Sequence, residues 1–362
     1  MYDKAEDSEN VISGAEQVTA EWLTGVLRRH DPVQPVTVGA VRIVLQKRLP
    51  YSTIIRLSAK YDDPPANLPH DFVLKLAPGK ITDPTTVDVG RAEVEFYQSV
   101  APGLPCPPLI ECFDTGYSAD SGRSHILMRD LSDTHSQPEQ NQAPSPEMSR
   151  LAVEALARVH AAWWNSPELG NSIGKLFDEA ALASFIDNLE SSVTDFIDRS
   201  GVLLTREQLD AYDLMLKNAE QIWGRLMHRE GLTVTHGDCH WWNYLYPRDP
   251  QTDAVHIFDW HLWHVDLGAR DLAFLLALGG FAEPRPDLEN GLLRAYRNKL
   301  SECGVSDYGW EQLLEDYRWS AIRNMNLPVI FWTQGKHEST VRSALERAFA
   351  SYQRLQCEDL IA

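Results

Sequence analysis

Apolar and polar residues alternate with different periods in the two parts of the chain. Near the start, VTAEWLTGVLRRH places Trp22, Leu23, Val26 and Leu27 on one helical face, behind Thr19, whose hydroxyl can cap the first turn. Runs rich in β-branched residues follow. VTVGAVRIVLQ, STIIRLSAKY and HDFVLKLA, separated by turn residues, read as strands of an antiparallel sheet. DVGRAEVEFYQSVA returns to helical spacing, with Val94, Tyr97 and Gln98 about its turn, and LPCPPLIECFDTGY and SHILMRDL read as two more strands. After Leu131 the character changes. SDTHSQPEQNQAPSPEM is polar and proline-rich, a loop or linker. Helical spacing then dominates, in MSRLAVEALARVHAAWW, ASFIDNLESSVTDFIDR and TREQLDAYDLMLKNAEQIWGRL, and at the tail in LLEDYRWSAIRNM and TVRSALERAFASYQRLQ. Two ring-rich runs, HGDCHWWNYLY and VHIFDWHLWHVD, interrupt the helices as short strands and loops. The expected class is α+β, with a small antiparallel-sheet lobe over residues 1–131 and a larger, mainly helical lobe over residues 132–362.

Composition narrows the partners. The chain has 362 residues, 43% of them hydrophobic, which is ample for the cores of two lobes. A formal net charge of −19 argues against a nucleic-acid partner, which needs a basic face, and permits cationic small molecules. The cysteines, Cys106, Cys112, Cys239, Cys303 and Cys357, are odd in number and show no C-x-x-C spacing, so a reducing compartment is expected. MYDKAEDSEN is acidic and polar, unlike a signal peptide, and the apolar run DLAFLLALGGF is too short to cross a bilayer. The expectation is a cytoplasmic protein without a membrane partner.

The ring-rich runs carry the candidate chemistry. Phosphoryl transfer needs a carboxylate to orient and deprotonate the attacking hydroxyl, hard oxygen ligands for Mg²⁺, and a lysine for the nucleotide phosphates. In kinases the catalytic Asp is followed five residues later by a metal-binding Asn, and Asp238 and Asn243 have that spacing. A second metal-binding Asp should end a following strand, and Asp259 does so after Val255, Ile257 and Phe258.

These residues, HGDCHWWN, IFDW and the later ARDLAFLL, resemble the aminoglycoside phosphotransferase and choline kinase family, and the uncharacterised bacterial and ecdysteroid-kinase-like subgroup within it. The resemblance extends over most of the chain. It implies a bilobal protein-kinase-like fold and an ATP-dependent O-phosphotransferase that acts on a hydroxyl of a small molecule, with ATP and Mg²⁺ as cofactors. Asp238 would be the catalytic base, with Asn243 and Asp259 as metal ligands. VLKLA would supply the nucleotide lysine, Lys75, and RAEVEFYQSV its glutamate partner, Glu93 or, failing that, Glu95. HILMRDL would be the hinge, where backbone groups from Met128 to Asp130 meet adenine. The chain departs from many kinases in the hairpin KRLPYSTIIRL, which lacks the glycines that let backbone N–H groups approach phosphate; Ser52 and Thr53 stand there instead.

Blander readings apply to several of these residues. Lys75 can be an edge-strand lysine, and a helix glutamate such as Glu93 is usually solvated. His236 and Asp271 read as structural, holding the catalytic loop, and Cys239 as a small buried residue. Zinc is the competing chemistry for His236, Cys239, His240, His256, His261 and His264, but His256 and His261 straddle Asp259 across a strand end and should diverge. Trp241, Trp242, Trp260 and Trp263 read as core beneath the loop, or in part as walls of an acceptor pocket for a cationic or planar body. The acceptor remains open between an antibiotic, an amino alcohol, a sugar and a sterol-like alcohol. The alternative function is a nucleotide-binding pseudokinase, for which Asp238 would be superfluous.

Overall fold

The computed structural model describes residues 11–33, 35–63, 68–79, 88–104, 108–139, 142–279 and 285–361. The chain forms two compact units, the first from residues 1–136 and 245–263, the second from 137–244 and 264–362. The first unit takes back a late segment of the chain, and that segment carries Asp259.

In the first unit, helix α1 (Ala20–His30) begins where the sequence predicts, with Thr19 Oγ1 accepting from the Trp22 N–H at 3.1 Å, and it buries Leu23, Val26 and Leu27. Strands β1 (Val38–Arg48), β2 (Thr53–Tyr61) and β3 (Asp71–Pro78) precede helix α2 (Val89–Glu95), which continues as a wider turn through Val100. Strands β4 (Cys112–Tyr117) and β5 (Arg123–Arg129) complete a five-stranded sheet of order β1-β2-β3-β5-β4, every pair antiparallel. Leu74 and Leu76 on β3, Ile55 and Leu57 on β2 and Leu127 on β5 pack into one core with α1. Strand period 2 sends Lys75 to the opposite face from Leu74 and Leu76. That register places the lysine on the central strand, opposite Ile54 and Ile126.

The proline-rich linker hides a short strand that its composition does not announce, β6 (His135–Ser136). It pairs with β8 (Tyr244–Pro247), which also adjoins β9 (His256–Ile257) in a three-stranded sheet. A two-residue strand is specified by its partners, and local propensity says little about it.

The second unit is mainly helical: α3 (Pro146–Trp163), α4 (Glu179–Arg199), α5 (Arg206–Lys217), α6 (Ala219–Gly224), α7 (Gly268–Leu272), α8 (Pro286–Glu302), α9 (Trp310–Arg323), α10 (Leu327–Thr333) and α11 (Glu338–Arg354). The periodicity from Thr205 to Leu226 predicts one helix, and the structure breaks it at Asn218. There the side-chain Nδ2 donates to the carbonyls of Leu214 and Ile361, both at 2.9 Å, and competes with the helical ladder. Among the helices, β7 (Leu232–Thr235) pairs with β10 (His264–Leu267), and all four β7 residues are buried. The motif HGDCHWWN leaves the end of β7. Among the described residues, no helix is long and apolar enough to cross a membrane.

Candidate active site

The predicted residues gather as two sets, one in each unit. In the first unit, Lys75 Nζ lies 2.7 Å from Glu93 Oε2 and 2.6 Å from Asp259 Oδ1. Three residues from β3, α2 and the end of β9 therefore meet at one ammonium. Glu93 is buried while Glu95 is exposed, so the pairing of the helix glutamate is resolved in favour of Glu93. Asp259 adopts φ +68, the left-handed region that Asp tolerates better than most residues, and this turn away from the extended backbone follows directly on Phe258. His261 adds a contact the sequence reading did not assign, its Nδ1 lying 2.8 Å from Asp259 Oδ1.

Electrostatics tie the set together. Burial lowers the pKa of Lys75, but Glu93 and Asp259 outweigh it and hold the ammonium above its usual range. Burial raises Glu93, and the Asp259 charge adds to that, against the pull of Lys75. Asp259 goes the other way: burial opposes ionisation, but Lys75 and the His261 hydrogen bond overcome it and lower its pKa. Asp259 is thus the firmly ionised carboxylate of the pair.

Tryptophan braces this set. Trp260 is fully buried and stacks on Phe96 with ring centroids 4.2 Å apart. Trp263 donates from Nε1 to the Ala92 carbonyl at 2.8 Å, fastening the run after Asp259 to the helix that carries Glu93. Trp263 therefore has a bracing contact, and its half-buried ring is anchored at the indole N–H.

Ser52 sits in the turn between β1 and β2, where its carbonyl accepts from the Leu49 N–H at 2.8 Å. Met128 is buried within β5, and its sulfur accepts from Tyr97 Oη at 3.5 Å. The Asp130 carboxylate is held by Arg56 Nε at 2.6 Å and by the Ser132 N–H at 2.8 Å. The N–H groups of Arg129 and Asp130 donate to Glu111 and Asp71 carbonyls, so both are engaged by the sheet.

In the second unit the construction is different. Gly237 has φ +79, a conformation that costs glycine nothing, and it turns the chain so that Asp238 leaves the end of β7. The buried Asp271 carboxylate accepts from the N–H groups of His236 at 2.6 Å and Gly237 at 3.1 Å, and lies 3.2 Å from His160 Nε2. His160 in turn meets Tyr296 Oη at 2.7 Å through Nδ1. Burial pushes the Asp271 carboxyl up, but the His160 hydrogen bond and charge and the His236 contacts outweigh it, leaving its pKa below the usual range. Asp271 and His236 thus support the loop from beneath, as the sequence suggests for both, whereas the roles of His160 and Tyr296 have no local signal.

Asp238 and Asn243 belong to the same loop. Asn243 Nδ2 donates to the Asp238 carbonyl at 2.7 Å and approaches its Oδ2 at 3.3 Å, which leaves the amide oxygen as the hard donor of that side chain. His240 Nε2 lies 3.0 Å from Asp238 Oδ1, and the His240 ring stacks on Trp242 at 4.0 Å. Cys239 is fully buried and lies 3.0 Å from Tyr244 Oη, and burial drives its thiol pKa well up, as expected of a small buried residue.

Solved structures share this fold. One is a GDP complex of aminoglycoside 2'-phosphotransferase-IIIa, at 14% identity over 92% of this chain and 99% of that one, with a TM-score of 0.54. A choline kinase from Cryptosporidium parvum aligns at 9% identity over 94% and 95% of the two chains, TM-score 0.53. A microcompartment-associated aminopropanol kinase aligns at 11% identity over 94% and 99%, TM-score 0.54. At such identities the likeness is one of fold, the α+β protein-kinase-like fold. No curated protein sequence matches the chain. Residues 62–314, a span that includes Lys75, Glu93, Asp238, Asn243 and Asp259, match the model of the phosphotransferase enzyme family, and the chain belongs to that family.

Proposed function

We propose that this protein is an ATP-dependent O-phosphotransferase that transfers the γ-phosphate of ATP to a hydroxyl of a small molecule in the cytoplasm. The observation that carries the reading is the meeting of Glu93 and Asp259 at Lys75. The motif picks these three from distant parts of the sequence, and a fold with no use for them together has no reason to set a buried and a half-buried carboxylate around one lysine. In this reading Lys75, steadied by Glu93, holds the α- and β-phosphates. The hinge from Met128 to Asp130 and Ser52 of the hairpin belong to the nucleotide side. Asp238 orients the acceptor hydroxyl and takes its proton as the oxygen attacks the γ-phosphorus, with ADP as the leaving group. His240 keeps the Asp238 carboxylate oriented by its hydrogen bond to Oδ1.

Each unit offers a hard oxygen ligand that suits Mg²⁺, the firmly ionised Asp259 carboxylate in the first and the Asn243 amide oxygen in the second. When bound, the ion neutralises charge on the β- and γ-phosphates. Among the fold relatives, the acceptors named are an aminoglycoside, choline and aminopropanol, all alcohols that carry a cationic nitrogen. A net charge of −19 favours the same class, so an alcohol with a cationic nitrogen is the first acceptor to try. The test is a panel of amino alcohols, aminoglycosides, sugars and sterol-like alcohols incubated with ATP and Mg²⁺, read by the mass gain of one phosphoryl group. Phosphorylation of one acceptor by the wild type, lost in Asp238→Ala, is the expected result. ATP binding without turnover of any acceptor class would favour a nucleotide-binding regulator.

A further inference from the structure

The first unit holds a second cluster of ligating side chains, apart from the residues assigned to phosphoryl transfer. His135 on β6, Asp253 in the loop between β8 and β9, and His256 on β9 each offer one ligand atom, and these atoms all lie within 4.8 Å of one another. His135 is buried, His256 half-buried and Asp253 exposed, so the cluster opens to solvent on the carboxylate side. The two imidazoles meet edge to face with centroids 5.1 Å apart.

Their hydrogen bonds fit metal ligation. His256 Nδ1 lies 2.9 Å from the Leu109 carbonyl, which can only accept, so Nδ1 carries the proton and Nε2 keeps its lone pair. A backbone carbonyl that fixes one imidazole nitrogen and leaves the other basic is the usual outer support of a metal-bound histidine. Burial also lowers the pKa of His256, which keeps the ring neutral. His135 has two self-consistent arrangements. Its Nε2 lies 2.8 Å from the Ala254 carbonyl and its Nδ1 2.7 Å from Thr134 Oγ1. With the proton on Nε2, the ring donates to Ala254 and accepts from Thr134. With the proton on Nδ1, it donates to Thr134, whose hydroxyl can donate onward to the Leu131 carbonyl at 3.4 Å. Nε2 and the Ala254 oxygen then face each other as two lone-pair donors, an arrangement that a bound cation relieves. One proton moved across the ring turns a dry contact into two ligands.

We propose that His135, Asp253 and His256, with the Ala254 carbonyl, form a binding site for a divalent transition metal of the zinc class. Two imidazole nitrogens with a carboxylate select such an ion over Mg²⁺, which takes oxygen. The bound ion would tie β6 to β9, the two outer strands of their sheet. His256 stands three residues before Asp259, and His135 five residues after Asp130, so the staple holds the strand that leads into the metal-binding carboxylate.

Co²⁺ serves as the probe on the full chain freed of any histidine tag, with Mg²⁺ in excess to occupy oxygen-only sites. One equivalent should bind with the visible absorption of a nitrogen-ligated ion, be displaced by Zn²⁺, and raise the melting temperature by roughly 3–4 °C at a hundredfold excess over Kd. His256→Gln and Asp253→Asn should each weaken binding more than about tenfold, and Thr134→Val, which removes the support of the metal-bound tautomer, by about tenfold. Asp253→Asn alters an exposed side chain and keeps the test decisive if His256→Gln fails to fold. Absence of Co²⁺ absorption in the wild type, or an unchanged isotherm in Asp253→Asn, overturns the proposal.

Discussion

The two sets of site residues are built on different physics. In the first unit, Lys75, Glu93 and Asp259 are held by charge pairs between side chains from three elements, with His261 hydrogen-bonded to Asp259. In the second, Asp238 is positioned by backbone, through a glycine turn and two N–H groups gathered by Asp271, with His160 and Tyr296 behind it. Charge pairs leave their partners free to change when a phosphate or a metal arrives. A loop held by its own N–H groups keeps its shape while the substrate changes. The set around Lys75 is built so that its partners can exchange, and the loop of Asp238 so that its shape stays fixed.

Four perturbations separate the two designs. The largest effect is expected at Asp238. Asp238→Ala should lower kcat by about 10²–10⁴-fold on a verified acceptor, while calorimetric ATP affinity stays near wild type. Near-normal turnover would remove the base assignment.

Next is the brace. Asp271→Ala strands the N–H groups of His236 and Gly237 and the His160 imidazole in the interior, and should cost about 3–5 kcal/mol in denaturant unfolding. The same carboxylate predicts a pH dependence. Its folded pKa lies below the unfolded value, so its stabilisation is present above the unfolded carboxylate range and is lost as pH falls through the lower, folded value. Melting temperature should decline on acidification in the wild type and decline less steeply in Asp271→Ala. Parallel curves for the two proteins would place the acid sensitivity elsewhere.

Third, the charged set should show coupling. Lys75→Met leaves Glu93 and Asp259 without their shared cation and should reduce kcat on the order of 10²-fold. In a double-mutant cycle with Glu93→Gln, stability should show a coupling of about 0.5–3 kcal/mol. The same cycle run with Glu95→Gln, an exposed residue, should return none. Equal couplings at both positions would undo the choice of Glu93.

The smallest effect belongs to the indole that fastens the segment after Asp259. Trp263→Leu gives up the hydrogen bond to Ala92 and should cost about 1–3 kcal/mol of stability, with the acceptor KM unchanged. A raised KM at unchanged melting temperature would return Trp263 to the acceptor pocket.

By itself, the sequence determined the elements whose evidence is local. The amphipathic α1 with its Thr19 cap, the alternating strands around Lys75 and the long helices α3 and α4 are legible because burial repeats with the period of the backbone. It also named residues of the candidate site, Asp238, Asn243 and Asp259 from their spacing and the strand end, and Lys75 and Glu93 from the resemblance of their segments to a known family. Tertiary structure decided whatever depends on distant partners. It chose Glu93 over Glu95, since only packing says which helix face meets β3. It broke the helix at Asn218, whose amide reaches the Ile361 carbonyl far along the chain. It made a strand of His135 and Ser136 inside a polar linker, and returned residues 245–263 to the first unit. The histidines in the ring-rich runs invite a zinc reading among near neighbours, and His236, Cys239 and His240 are absorbed by the loop instead. His256 instead meets His135, inside the linker, because proximity in space leaves no period along the chain.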